Sequence, residues 1–70
     1  MINSKIIGER IKQARENKEL SQRALADKLG VRQPFICALE KGLRKPNLDM
    51  TIALSEVLGA SVDYLLGKGE

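Results

Sequence analysis

Glycines at positions 30, 42, 59 and 67 and prolines at 34 and 46 each fall just past or just inside a stretch of helically spaced apolar residues. That punctuation confines the chain to short helices. Ile7, Ile11 and Ala14 recur at i, i+4 and i+7, with Glu9, Arg10, Lys12, Gln13 and Glu16 on the other faces, as an amphipathic helix requires. Asn3 or Ser4 would cap it, and Asn17-Lys18-Glu19 ends it. Leu20 then supplies an apolar anchor before Ser21, a good N-cap for a second helix over residues 22–29 with Leu25, Ala26 and Leu29 on its inner face. Gly30 takes the left-handed position at its end. A third pattern carries Ile36 and Leu39 at i and i+3, with Pro34 tolerated in its first turn. A proline disfavours helical angles in the residue before it, so Gln33 is expected to be extended and the third helix to begin at Pro34. Gly42 closes that helix, and Leu43-Arg44-Lys45-Pro46-Asn47 forms a loop. Leu48 to Leu58 makes a fourth helix with an unusually wide apolar stripe, and Ser61 caps a last turn from Val62 to Leu66. No segment alternates with period two long enough for a strand. The reading is all-α, a compact bundle of five helices.

A length of 70 residues leaves room for one domain, residues 1–70, and no second core. With 43% hydrophobic and 30% charged residues the chain is too apolar for disorder and too interrupted for a membrane span. Cys37 is the single cysteine, which excludes an internal disulfide, and histidine is absent. No Cys/His metal cluster and no nucleophile–imidazole pair is therefore expected, and catalysis on a small-molecule substrate is a poor first reading. No secretory signal is visible at the N-terminus, so a cytoplasmic location is expected.

Charge is divided unevenly. Residues 1–45 carry 11 Lys/Arg against 5 Asp/Glu, and residues 46–70 carry 1 against 4, so the overall +3 conceals a strongly basic first part. That part is either an anion-binding surface or a set of solvated helix faces.

Residue choices around the second and third helices decide between these. Ala26 is small where two crossing helices approach, Gly30 sits where the turn needs positive φ, and Val31 is apolar where the turn tucks inward. Beyond the turn, Ile11-x-x-x-Arg15, Leu20-Ser21-Gln22, Leu25-Ala26-x-x-Leu29-Gly30-Val31, Ile36, Glu40-x-Gly42, Lys45-Pro46 and Leu58-Gly59 follow in order. This run, over residues 5–66, resembles the phage repressor and Cro type helix-turn-helix family, the XRE-type regulators with a lambda-repressor-like DNA-binding domain. The resemblance implies a sequence-specific transcriptional regulator of double-stranded DNA, usually a homodimer on a palindromic operator, without cofactor or enzymatic activity.

Carried over by position, the resemblance implies that Gln22 bonds a backbone phosphate and braces Gln33. Arg32 and Gln33 lie where the third helix meets the groove; glutamine bonds adenine bidentately, whereas arginine takes guanine or phosphate. Pro34, Cys37 and Ala38 share that side, and Lys41, Arg44 and Lys45 lie near phosphates. Arg15 and Glu40 match an architectural ion pair joining the first helix to the end of the third. Cys37 is either a redox-sensitive thiol or a small hydrophobe. Phe35 is either a core plug or a wedge at the sugar-phosphate edge. Because Gln33 is the one amide available to read a base, apolar contacts to thymine methyl groups and DNA shape share the recognition. The alternative function is a protein-interaction adapter or antitoxin-like partner that uses the apolar last two helices.

Overall fold

The computed structural model describes residues 3–68. Five helices follow one another: α1 (Ser4–Asn17), α2 (Gln22–Leu29), α3 (Gln33–Glu40), α4 (Leu48–Leu58) and α5 (Val62–Leu65). There is no strand among the described residues.

Capping chemistry places the helix starts. Asn3 Oδ1 accepts from the Lys5 amide at 2.8 Å, Ser21 Oγ from Ala24 at 2.9 Å, Asn47 Oδ1 from Met50 at 2.7 Å and Ser61 Oγ from Tyr64 at 3.0 Å. Each bond satisfies an amide that the helix itself leaves unpaired. α3 is the exception: Arg32 precedes it with φ −87° and ψ 148° and gives no side-chain cap.

The third helix thus differs from expectation. It begins at Gln33, and the extended residue is Arg32. Pro34 occupies the second helical position, where its missing amide is still no loss. The proline's bias against helical angles at Gln33 is overridden by burial, because Ile36 and Leu39 are both fully buried and fix where the helix must run. Gln33 is also tied back to α2 by its side chain. α5 ends one residue before the expected Leu66, which forms its C-cap.

Paired backbone bonds close the ends. At α2, Val31 N donates to Ala26 O at 3.0 Å and Gly30 N to Asp27 O at 3.3 Å, with Gly30 at φ 71°. This two-bond ending is the Schellman pattern, which needs a left-handed residue. α1 ends the same way, with Leu20 N bonded to Arg15 O at 3.1 Å and Glu19 N to Glu16 O at 2.9 Å, yet its left-handed residue is Glu19 at φ 58°.

The core is one cluster. Ile7, Ile11 and Ala14 of α1 meet Leu25 and Ala26 of α2, Ile36 and Leu39 of α3, Leu54 and Leu58 of α4, and Leu65 of α5. α3 packs most extensively against α1 and α2, which fixes the angle at which its other side faces solvent. α1 and α3 approach so closely that a Cβ on Gly8 would strike the carbonyl groups of Leu39 and Glu40. Outside the core, Leu43, Leu48 and Ile52 are large apolar side chains left exposed.

Candidate nucleic-acid interface

A connected set of polar side chains runs from the α1–α3 junction to the start of α3. Arg15 lies near the last turn of α1 and Glu40 at the last position of α3, so the close packing of those helices brings them together. Arg15 Nε donates to Glu40 Oε2 at 2.6 Å and Arg15 Nη2 to Glu40 Oε1 at 3.1 Å, a two-pronged pair whose side chains are 11% and 4% exposed. Arg15 Nη1 also donates to Leu20 O at 2.8 Å, tying the pair to the α1–α2 turn. The hydrogen bond to Glu40 is the main influence on Arg15; it outweighs desolvation and holds the guanidinium above its ordinary pKa.

Glu40 has acceptor capacity beyond its two bonds from Arg15, and Gln22 uses part of it. Gln22 Nε2 donates to Glu40 Oε1 at 3.0 Å, and Gln33 Nε2 donates to Gln22 Oε1 at 3.1 Å. The expected bracing of Gln33 by Gln22 is therefore present, and it extends inward to the ion pair. No buried side-chain nitrogen or oxygen among the described residues lacks a partner.

Around this thread, Arg32, Gln33 and Pro34 are exposed at the start of α3 and Lys41 at its end. Cys37 and Ala38 are half-buried on the helix between them. Arg44 and Lys45 are exposed in the loop that follows. The side chains of Arg32, Lys41 and Lys45 have no hydrogen-bond or ion-pair partner among the described residues. Arg44 is different: its guanidinium lies over the Phe35 ring, 5.2 Å from the centroid. Phe35 is half-buried and packs against the core while offering a ring face to Arg44. It therefore serves as packing, and in addition holds a cation beside α3.

Sequence reasoning did not find the Arg44–Phe35 stack, the Gln22–Glu40 bond or the close approach at Gly8. For Gly8 a signal existed, since a glycine inside an amphipathic helix costs stability and so points to a backbone contact. For the other two the partners lie on different elements, and spacing along the chain does not place them.

Chemically, this face offers one oriented amide, an exposed arginine beside it, and flanking cations. These are the groups that bond base edges and phosphates in duplex DNA.

A family model described as helix-turn-helix matches residues 11–65. The chain is 43% identical over 65 residues to an uncharacterized HTH-type transcriptional regulator, YqaE, of Bacillus subtilis, a match covering 93% of this chain and 55% of that one. It is 38% identical over 69 residues to repressor protein C2 of Salmonella phage P22, covering 99% of this chain and 32% of that one. The chain thus spans about half or less of the length of these relatives. Its fold superposes on the P22 c2 repressor in complex with a synthetic operator with a TM-score of 0.83 and 36% identity, covering 90% of this chain and 96% of that one. Against SinR in complex with DNA the TM-score is 0.80 at 39% identity, over 86% of this chain and 97% of that one. The fold also matches a part of a larger chain, HppE, with a TM-score of 0.85 at 29% identity, over 91% of this chain and 36% of that one.

Proposed function

The chain belongs to the helix-turn-helix family, and we propose that it is a sequence-specific DNA-binding transcriptional regulator, a repressor that occupies promoter DNA and blocks polymerase. In this reading α3 enters the major groove, Gln33 and Arg32 meet base edges, and Pro34, Cys37 and Ala38 line the apolar side of the contact. Gln22, Lys41, Arg44 and Lys45 bond phosphates on either side. The observation that carries the reading is the exposed Gln33 amide, held in place by bonds that run back to a buried ion pair. A reading group held in place before the DNA arrives loses less entropy on binding.

The regulator acts as a homodimer on a palindromic operator. Leu48 and Ile52 lie one turn apart on α4 and are 72% and 43% exposed, and a second copy across this face would cover them. The same apolar face favours the second reading, an adapter or antitoxin-like protein partner. Binding of duplex DNA that weakens steeply with salt separates the two. No helix among the described residues is long and apolar enough to cross a membrane. We place the activity in the cytoplasm, without cofactor, metal, catalytic step or small-molecule substrate.

The experiment is selection from randomised duplexes. An enriched site with two related halves, centred about 10 base pairs apart or a multiple of that, supports the proposal. Absence of any enriched sequence refutes it.

A further inference from the structure

We infer that Glu40 is a positioning residue that sets which base Gln33 reads: through Gln22 it orients the Gln33 amide to pair with adenine rather than guanine. The inference rests on the DNA-binding reading above and assigns a specificity role to a residue otherwise explained as half of an ion pair.

The argument is one of hydrogen-bond polarity. Glu40 faces Arg15 at 2.6 Å and is a carboxylate, which has acceptors only. Gln22 sits 3.0 Å from Glu40 Oε1 and must therefore turn its NH2 toward it. That choice leaves Gln22 Oε1 on the opposite side, toward Gln33. An oxygen there requires a donor, so Gln33 turns its own NH2 inward, at 3.1 Å. One of the two Nε2 hydrogens of Gln33 is thereby engaged. The other hydrogen remains, together with Oε1, which has no partner among the described residues. The exposed end of Gln33 thus presents one acceptor and one donor.

In the major groove adenine shows a donor at N6 and an acceptor at N7, the complement of that pair. Guanine shows two acceptors, O6 and N7, and would need two donors where Gln33 has one and an oxygen. A free glutamine also pairs best with adenine, but its amide is unfixed and can turn its NH2 toward guanine, so its discrimination is weaker. Here each amide is fixed by the one behind it, and the series ends at a group that cannot reverse.

Changing the terminal group should reverse the series. In Glu40→Gln the new side chain keeps its shape but carries one oxygen and one NH2. Its oxygen takes the short bond to Arg15 Nε, which leaves the NH2 facing Gln22 at the expense of the longer bond from Arg15 Nη2. Gln22 then turns its oxygen inward and its NH2 toward Gln33, and Gln33 turns its oxygen inward and both hydrogens outward. Two donors match guanine.

The test is selection from randomised duplexes with the wild-type chain, Gln33→Ala, Glu40→Gln and Gln22→Ala, each checked for folding by circular dichroism. The position whose preference disappears in Gln33→Ala is the coupled one. The wild type should favour adenine over guanine there by roughly 5- to 150-fold. Glu40→Gln should shift that position toward guanine, and Gln22→Ala, which frees the Gln33 amide, should reduce the adenine preference several-fold. Gln22→Ala leaves the ion pair intact and carries the test if Glu40→Gln does not fold. An adenine preference undiminished in Gln22→Ala overturns the inference, whether or not affinity also falls evenly through the lost phosphate contact. A wild type that selects a site with no position dependent on Gln33 overturns the inference alone. A wild type that selects no site overturns the function as well.

Discussion

Gly8 carries no side chain because the backbone of α3 occupies the space a Cβ would need, at the carbonyls of Leu39 and Glu40. Backbone atoms cannot swing aside as a flexible side chain does, so the two helices must separate. Gly8→Ala should cost about 3 kcal/mol, measured by urea unfolding, although alanine is the better helix former. A gain in stability would mean that α1 and α3 stand farther apart than described. Glu40 is the second residue on which this junction depends. With its side chain 4% exposed and bonded to Arg15, Glu40→Ala leaves a guanidinium facing a site that no longer holds its counter-charge. The expected loss is about 3–5 kcal/mol, and a loss below about 0.5 kcal/mol would contradict a buried pair. The pair brings little pH dependence from the Arg15 side. Its pKa is raised in the folded state, so its contribution is fully present below the ordinary arginine value and fades only as pH rises through the folded one.

Among the elements, α3 shows what one-dimensional reasoning captures. Its inner face was readable as Ile36 and Leu39 at i and i+3, and both are fully buried. Its start was misplaced by one residue, because a local steric preference at Gln33 is weaker than the burial that fixes the helix axis. The caps at Ser21 and Ser61 were legible because capping is decided within four residues, and the structure selects Asn3 over Ser4 for the first helix. The Arg44–Phe35 stack was not, since it joins a loop to a helix through the tertiary fold. That stack is testable as a unit. Arg44→Lys keeps the charge and loses the flat guanidinium, while Phe35→Leu keeps an apolar plug and loses the ring face. A double-mutant cycle on unfolding free energy should give a coupling of about 0.5–1 kcal/mol, and strictly additive losses would show that the two side chains do not interact.

For the whole molecule, the division of charge defines an orientation. The first 45 residues hold 11 of the 12 Lys/Arg, while α4 and α5 contribute Asp49, Glu56 and Asp63. In the proposed reading the basic part faces a polyanion, and the exposed Leu48 and Ile52 of α4 face a second copy. Each phosphate neutralised should add roughly −0.9 to the slope of log K against log salt. Neutralising Lys41 and Lys45 together should therefore flatten that slope by about 1.8, and an unchanged slope would make both residues ordinary solvated charges. The family and the fold were legible in sequence because their signals are spread along the chain. The orientation of the reading amide was not, because it depends on four side chains from three helices meeting in space. The central claim is that α3 distinguishes one duplex from another. Its most direct test is the ratio of affinities, at about 0.15 M salt, for a selected duplex and for one of scrambled sequence. The account predicts a ratio of at least about 10³, reduced by about 1–3 kcal/mol in Gln33→Ala through loss on the selected duplex alone. A wild-type ratio near one, or an equal loss on both duplexes, would contradict it.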